Sequence, residues 1–437
     1  MKHQISQALL DEAIRLRREF HEYCEPGWLE MRTASRVAGI LTDLGYEVRL
    51  GREVCCEAAR LGLPPQAAFD RQYDWAKKTC ADIRFLDRVR DGWTAVVGIL
   101  RCGEGPVAAL RFDMDALYVT EDDTAAHRPA AEGFSSCVPG VMHACGHDGH
   151  TAIGLCLARL LAESRESLHG TIKLVFQPAE EGVRGAAAMA ESGILSDVDA
   201  IFAGHIYPKQ PDSHAEIGVF SGEYGAVATT KYDVTFRGAA AHAGMFPEQG
   251  RNALLAAANA VVNLAAISRR GDSATQVNVG TFVARGQRNV VCDNARVELE
   301  VRGQTTQANE YMQSRALTVL AAAAQMYDCT HEVKVAGHAD ALQNSQELTA
   351  WFRALCRKEE IRTQDVRGFG SGSEDFACLA ARVCAHGGRS LYFHILADCA
   401  AVNHASRFDF DERALGTAIG VFYVIVQHFM GSSCENA

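Results

Sequence analysis

Apolar runs and helical patterns alternate along the first half of the chain. Short runs of buried-strand type occur at 107–112, 171–177 and 200–203, and helical periodicity covers 151–164 and 183–193. This alternation is typical of α/β proteins, in which helices cover the faces of a largely parallel sheet. The pattern therefore predicts an α/β domain with a mixed, largely parallel sheet flanked by helices.

The N-terminal region precedes these runs and has a different pattern. It predicts helices at 3–23 and 31–44, and an extended segment that begins at 46. Residues 52–91 form a mostly polar, partly helical insertion, to which the sequence assigns no role.

The pattern changes again between about 226 and 338. Its elements are predicted as a strand (230–237), a helix (252–268), two strands (275–285 and 295–302), a helix (308–327) and a strand (331–336). The order β-α-β-β-α-β is the ferredoxin-like arrangement, a compact unit with its own core. Because the earlier pattern resumes near 339, we predict one domain of residues 1–225 and 339–437, with residues 226–338 inserted as an α+β domain.

Composition restricts the partners that we expect. The chain has 437 residues and a net charge of −11, which argues against a broad surface for nucleic acid or anionic membrane. No apolar run reaches about 18 residues, the length of a membrane span, and no signal-peptide core is present at the N-terminus. The chain has fifteen cysteines, an odd number, and in a long sequence without a predicted secretion signal these are expected to be reduced thiols. We therefore expect a cytoplasmic protein that binds neither nucleic acid nor membrane.

The stretch 142–150 carries the strongest chemical signal. It holds Cys145 with three histidines, His143, His147 and His150, directly before a helical run. Thiolate and imidazole are preferred ligands of borderline transition metals, and the glycines of the stretch let the backbone bend so that side chains converge. A chance cluster of histidines is the alternative, and all three are candidate ligands at this point.

Other candidates follow the predicted strands. Asp113 and Asp115 come after the first run, Glu180 and Glu181 after the second, and His205 after the third. Ligands bind at the carboxyl ends of strands in open α/β sheets. Adjacent carboxylates need nearby positive charge; beside a metal, one ligates and its neighbour acts as general base. Alternatively, the glutamates form a solvated acidic loop and His205 is an ordinary core or surface histidine.

Four motifs together resemble one family. They are Arg-x-Asp-Met-Asp-Ala-Leu at 111–117, Met-His-Ala-Cys-Gly-His-Asp-x-His at 142–150, Gln-Pro-Ala-Glu-Glu at 177–181 and Gly-Ser-Glu-Asp-Phe at 372–376. The chain is similar to the dinuclear metallohydrolases of peptidase family M20, which include aminoacylases and glutamate carboxypeptidases, in their amidohydrolase branch. The resemblance implies that residues 226–338 form a lid and dimerisation domain, and that the protein pairs as a homodimer or with a related subunit.

The resemblance also implies the site residues. Two divalent metal ions would be held by Cys145, His147, Glu181, His205 and His404. Manganese is favoured by the family, and zinc is possible because a thiolate suits a softer ion. Glu180 would be the general base. Independently of the resemblance, the Asp-x-Asp pattern at a strand end suggests that Asp113 and Asp115 orient the histidine ligands, with a surface acidic turn as the alternative. His143 and His150 would support or pack.

Three positions in the predicted lid complete the expected site. His242 would stabilise the developing oxyanion in the active site of the partner subunit, whereas Asn289 and Arg302 would contact substrate. Alternatively, Asn289 caps a turn and Arg302 is a surface residue on a strand.

The expected reaction is hydrolysis of the amide bond of an N-acyl or N-aroyl amino acid. The segments 51–54, 133–137, 252–258 and 408–412 carry a likeness that implies p-aminobenzoyl-glutamate, cleaved to p-aminobenzoate and glutamate. One alternative is a broader N-acyl-amino-acid or indoleacetyl-amino-acid hydrolase. Another is a non-catalytic subunit that mainly supplies the lid of a heteromer.

Overall fold

The protein divides into two compact units. The computed structural model describes residues 5–79, 81–209, 218–220, 224–364, 368–369 and 372–431. The first unit comprises Met1–Tyr224, Gln343–Gly368 and Cys378–Ala437, and the second comprises Gly225–Leu342 and Phe369–Ala377. The division into residues 1–225 with 339–437 and residues 226–338 stays a prediction, and the Val227 amide donates to the Gly372 carbonyl (3.1 Å).

Helices account for much of the described chain. In chain order they are α1 (Gln7–Glu22), α2 (Met31–Asp43), α3 (Gln66–Lys78), α4 (Ile83–Leu86), α5 (Arg128–Glu132), α6 (His147–Glu163), α7 (Ala186–Ala190), α8 (Ala253–Ala265), α9 (Thr306–Met326), α10 (Gln346–Lys358), α11 (Phe376–Ala385) and α12 (Arg413–Met430). The predicted N-terminal helices are present as α1 and α2, and the helix predicted at 183–193 is limited to α7.

The strands follow the same chain order. They are β1 (Glu47–Leu50), β2 (Val96–Arg101), β3 (Val107–Asp113), β4 (Thr171–Gln177), β5 (Ala200–Pro208), β6 (Gly218–Phe220), β7 (Tyr224–Ala226), β8 (Ala228–Arg237), β9 (Thr275–Ala284), β10 (Asn294–Gly303), β11 (Thr330–Ala339), β12 (Leu342–Gln343), β13 (Thr363–Gln364), β14 (Gly368–Phe369) and β15 (Arg389–Ala397).

A mixed sheet forms the centre of the first unit. Its strand order is β1-β2-β4-β3-β5-β15-β6-β13. The central strands β4, β3, β5 and β15 run parallel to one another, whereas β2 pairs antiparallel with both β1 and β4. The parallel strands are almost wholly buried, as expected for a sheet covered on both faces. The predicted α/β class with a mixed, largely parallel sheet is confirmed.

Strand β5 is longer than its apolar run predicted. The prediction ended this strand at Ala203 and placed His205 beyond it, but β5 continues to Pro208. Parallel pairing with β15, in which His205 lies opposite His394, supplies backbone partners for the added residues. The prediction ended too early because Gly204 and His205 interrupt the apolar pattern, while the pairing that extends the strand comes from a distant part of the chain.

Helix α6 packs on the sheet and brings its N-terminus to the candidate site. It also packs against α1 and α12, and its buried residues surround nearly the whole helix. At Gly154 an added Cβ would lie 2.7 Å from the Phe112 ring and 2.8 Å from the Phe176 ring. The glycine therefore permits close approach of helix and sheet, which fixes the position of His147 at the start of α6.

The second unit is an antiparallel sheet with two helices. Its strand order is β11-β8-β10-β9, and the helices α8 and α9 pack on the sheet. The core includes Tyr232, Val234, Phe236, Val297 and Leu320. The elements follow the predicted β-α-β-β-α-β order.

Although the sequence has no uninterrupted apolar run of about 18 residues, one helix within the described residues, α12, has the length and mean apolar composition of a membrane span. Inside the first unit 61% of this helix is buried, and buried core helices of other proteins can have the same length and composition.

Candidate metal centre

The turn before α6 brings a thiol and two imidazoles together. Gly146 adopts a left-handed conformation (φ 89°) that glycine accepts without strain, and α6 begins at the next residue. Cys145, His147 and His205 are all buried, and their ligand atoms lie within 4.8 Å of one another. Burial alone would raise the pKa of the Cys145 thiol, but His205, His147 and His404 hold that pKa well below its usual range. The thiol is therefore prepared to act as a thiolate ligand.

The hydrogen bonds of the two histidines leave one nitrogen of each facing this cluster. His147 donates from Nδ1 to the Asp115 carbonyl oxygen (2.9 Å), and its Nε2 is buried without a hydrogen-bond partner. His205 donates from Nδ1 to the Ile206 carbonyl oxygen (2.7 Å), and its Nε2 lies 3.5 Å from Cys145 Sγ. Because a buried nitrogen without a partner is costly, the unpartnered His147 Nε2 indicates a metal position.

His150 does not have this arrangement, and His143, whose two buried ring nitrogens also lack a partner, belongs to no group of neighbouring ligand atoms among the described residues. His150 donates from Nδ1 to Asp113 Oδ1 (2.5 Å) and accepts at Nε2 from the Ile206 amide (2.8 Å), so both nitrogens are used. Burial lowers the pKa of His143 to about 3, which keeps its buried ring neutral. Of the three histidines that the sequence left open, the geometry favours His147 as the ligand.

A second set of donors adjoins the first. Cys145, Glu181 and His404 place ligand atoms within 4.8 Å of one another, and so do His147, Glu180 and Glu181. The His404 Nε2 lies 3.3 Å from Glu181 Oε1. Because Cys145, His147 and Glu181 each belong to more than one set, the cluster suits two ions that share ligands. The structure thus brings together all five predicted ligands and the predicted base Glu180.

Two carboxylates position the turn that carries Glu180 and Glu181. Asp115 accepts both glutamate amides, one on each oxygen, at 2.9 Å. The preceding amide, that of Ala179, donates to Glu30 Oε1 (2.8 Å). Three consecutive backbone amides are therefore held by two buried acids.

Glu30 was not predicted as a site residue. Its other oxygen accepts the Thr94 hydroxyl (2.7 Å), and burial together with repulsion from Asp115 raises the pKa of Glu30 to about 8. The available signal was a carboxylate between Leu29 and Met31, because an acid in an apolar run needs buried partners. A second missed residue is Asn403, which donates from Nδ2 to Cys145 Sγ (3.3 Å).

Three residues of the candidate site and its turn have a strained backbone. Ala179 (φ 51°), Val183 (φ 59°) and His404 (φ 69°) adopt left-handed conformations that are unfavourable for residues other than glycine. Such strain costs about 1–3 kcal/mol per residue and persists only where the surroundings enforce it. Here the fixed amides of Ala179, Glu180 and Glu181 supply part of that enforcement.

The Asp113 carboxylate lies close to two of the histidines, His147 and His150. It accepts from Arg111 Nη1 (2.6 Å) and from His150, and its Oδ1 lies 3.8 Å from His147 Nε2. Burial would raise the pKa of Asp113, but Arg111 and the two histidines hold it well below its usual range. The charged carboxylate fixes the tautomer of His150 directly, whereas His147 is oriented by the carbonyl oxygen of Asp115.

A fully buried arginine ties α1 to the residues behind the cluster. Arg17 donates to Asp148 (2.8 Å), Asp409 (2.9 Å) and Glu412 (3.3 Å). Asp148 directly follows His147 on α6 and also accepts from His21 Nδ1 (2.8 Å). This charge network was not predictable from the basic pattern of α1 alone, because the partners of Arg17 are far from it in sequence.

In the second unit, two of the predicted positions lie side by side. The Ala243 amide donates to the Asn289 carbonyl (2.9 Å), and His242 pairs with Val290. His242 Nδ1 accepts from the amides of Gly244 (3.2 Å) and Met245 (3.1 Å), so its proton resides on Nε2. The His242 side chain is exposed and presents this N–H as a donor.

Arg302 is not close to that pair. It is near the far end of β10, opposite Thr229 and Gln276, eight residues or about 26 Å along the strand from Asn294. Its guanidinium donates to Glu300 from Nε (3.0 Å) and Nη2 (3.2 Å).

Comparison with known proteins places these features in a wider group. Residues 109–428 match peptidase family M20/M25/M40. The chain is 42% identical over 419 residues to one of the subunits of p-aminobenzoyl-glutamate hydrolase from Escherichia coli K12, covering 95% of each chain. It is also 42% identical over 428 residues to indole-3-acetyl-aspartic acid hydrolase of Enterobacter agglomerans, covering 96% of each. The aminobenzoyl-glutamate utilization protein from Klebsiella pneumoniae superimposes with a TM-score of 0.82 at 37% identity, over 96% of each chain.

Proposed function

The chain belongs to peptidase family M20/M25/M40 and is a metal-dependent hydrolase, and we propose that it cleaves p-aminobenzoyl-glutamate to p-aminobenzoate and glutamate. The observation that carries the proposal is the cluster of a thiol, imidazoles and a carboxylate, buried at Cys145, His147 and His205, with Glu180 beside it. The substrate follows from the similar proteins of Escherichia coli and Klebsiella pneumoniae.

We propose that Cys145, His147, Glu181, His205 and His404 hold two divalent ions. The buried, unpartnered His147 Nε2 and the mixed donor set fit such ions. Manganese is the proposed metal, and zinc is the alternative that the thiolate favours. Bound ions would polarise the scissile carbonyl and lower the pKa of the attacking water.

The side chains of this protein would manage the proton and the developing charge. Glu180 takes a proton from the attacking water and returns it to the leaving amine. Its carboxylate lies 4.0 Å from His147 Nε2, and its backbone is fixed by Asp115. The partner subunit's His242 donates from Nε2 to the oxyanion. The partner's Asn289, which lies beside the partner's His242, contacts the substrate, whereas Arg302 exchanges Glu300 for a substrate carboxylate, which matches its bidentate geometry.

The Glu180→Ala variant tests the mechanism. We expect it to retain both ions and to lose about 10²- to 10⁴-fold in kcat, the usual contribution of a general base. Metal content and turnover are measured together. The control is Glu166→Ala, an exposed glutamate after α6, which should behave like the wild type. Near-normal turnover of Glu180→Ala would refute the assigned role.

A second candidate substrate is indole-3-acetyl-aspartate, which the relative from Enterobacter agglomerans favours. Both candidates join an aromatic acyl group to an acidic amino acid. A panel run with manganese and with zinc would compare them with N-acetyl amino acids and with conjugates of apolar amino acids. Preference for the apolar conjugates would favour the broader amidohydrolase instead.

Metal stoichiometry separates an enzyme from a protein that only supplies a lid. We expect two ions per chain, because the described ligand set is complete. Less than one ion per chain would favour the non-catalytic alternative.

We also propose that the protein works as a homodimer or with a related subunit, since the Escherichia coli relative is named as one subunit of its enzyme. In the second unit, α8 exposes Leu254, Leu255 and Val262, and the edge strand β9 exposes Phe282. Exposed apolar side chains beside an open strand edge are typical of an association surface.

A cytoplasmic location is proposed because the thirteen cysteines in the described part of the chain are free thiols.

A further inference from the structure

An aromatic row lies on the sheet of the first unit and ends beside the candidate metal ligand His205. The rings of Tyr207 and His394 are stacked, with centroids 4.5 Å apart and planes at 7°. Tyr392 meets His394 edge-on at 5.7 Å. The row belongs to the neighbouring strands β5 and β15.

Strand register places this row on the same face as the ligand. Side chains two residues apart in a strand point to the same face, so Tyr207 and His205 share one. His394 lies opposite His205 in the parallel ladder. The His205 side chain faces the Cys145 thiol, so the row extends along the face that carries the cluster.

Exposure differs strongly along the row. Tyr392 is 3% exposed and His394 is 8% exposed, whereas Tyr207 is 40% exposed. Tyr207 is also the member nearest the carboxyl end of its strand, where ligands bind in such sheets. The buried rings of Tyr392 and His394 thus support the accessible ring of Tyr207, which is two residues from the candidate ligand His205.

We propose that Tyr207, supported by His394, is a specificity-determining residue that stacks against the acyl group of the substrate. The site then selects planar aromatic acyl groups over alkyl ones. Offset stacking of two rings contributes beyond area burial and needs a ring held in place, which His394 provides. This inference rests on the proposed function and specifies which half of the substrate the first unit recognises.

The test compares two glutamate conjugates that differ only in the acyl group. Tyr207→Leu keeps apolar volume and removes the ring, and Tyr207→Phe keeps the ring. For Tyr207→Leu we expect kcat/KM on p-aminobenzoyl-glutamate to fall about tenfold. On N-acetylglutamate it should change by less than about twofold, and Tyr207→Phe should resemble the wild type on both. Equal losses on both substrates, or no loss on the aroyl substrate, would overturn the inference.

A second measurement needs no variant. Wild-type kcat/KM should be about tenfold higher for benzoyl-glutamate than for cyclohexanecarbonyl-glutamate, which has a ring of similar size that is not planar. Equal values would overturn the role of Tyr207 while leaving the proposed hydrolysis intact. A wild-type protein that cleaves none of the glutamate conjugates would overturn the proposed function and this inference with it.

Discussion

Replacement of Arg17 by methionine should destabilise the first unit strongly. The Arg17 side chain, on α1, is completely buried. It forms ion pairs with Asp148 of α6 and with Asp409 and Glu412, which directly precede α12. Methionine fills a similar volume but leaves the carboxylates without this cation. Asp409 and Glu412 keep Arg128, whereas Asp148 keeps His21 and the Gly149 amide among the described residues.

The expected cost follows from this difference among the acids. Removal of one partner from a buried ion pair typically costs about 3–5 kcal/mol, because the other charge stays buried. Asp148 is such a charge, and we expect the free energy of unfolding to fall by about that amount near neutral pH. The control is Arg15→Met on the same helix. Arg15 is 61% exposed and lies 3.6 Å from Glu19, so its loss should cost at most about 1 kcal/mol.

The loss should also depend on pH in a definite direction. Burial would raise the pKa of Asp148, but Arg17 and His21 lower it below its usual range. A depressed folded pKa stabilises the protein above the unfolded pKa of about 3.9, and this stabilisation is lost as the pH falls through the folded value. In Arg17→Met the folded carboxyl accepts a proton more readily. The difference between variant and wild type should therefore shrink as the pH is lowered from about 7.5 towards about 4.5.

Urea unfolding of the metal-loaded proteins, followed by far-ultraviolet circular dichroism at both pH values, measures these differences. A loss below about 1 kcal/mol near neutral pH would refute the reasoning, because it is the size expected of an exposed pair. A loss that grows as the pH falls would contradict the assigned charge of Asp148.

Three further predictions concern the site. Glu30→Ala leaves the Ala179 amide without its acceptor and should lower the free energy of unfolding in urea by about 1–3 kcal/mol. Glu30→Gln keeps an acceptor and should lower it less. Equal losses in the two variants would show that the hydrogen bond is unimportant. Mixing inactive His242→Ala with inactive Glu180→Ala should restore part of the activity if His242 acts across a dimer, and no recovery after confirmed subunit exchange would place its action within one chain. Arg302→Gln should raise KM for p-aminobenzoyl-glutamate about tenfold or more with little change in kcat, and an unchanged KM would limit Arg302 to its pair with Glu300.

The sequence predicted the elements that local patterns determine. Strands β3 and β4 are continuous apolar runs, and the alternating pattern of the second unit gave its element order with small boundary errors. The cluster was also recognisable, because Cys145 and His147 occur within one motif and Glu180 and Glu181 follow a strand.

Features that depend on distant partners could not be predicted. The extension of β5 past Ala203 requires β15, and the choice among His143, His147 and His150 requires the amide of Ile206 and the carbonyl oxygen of Asp115. The role of Glu30 depends on a turn 149 residues later in the chain. Such contacts leave no periodic trace, since they involve single side chains and backbone groups.

The central position of β15 has a consequence for synthesis on the ribosome. This strand lies between β5 and β6 in the sheet, yet it is encoded after residue 388. Until it emerges, a nascent chain exposes the nearly fully buried strand β5 as an open edge, with an unpaired row of backbone groups. Such an edge is prone to pair with other chains. Translation intermediates that end before β15 should therefore depend on chaperones, and the protein should reach its native sheet only after nearly the whole chain has been made.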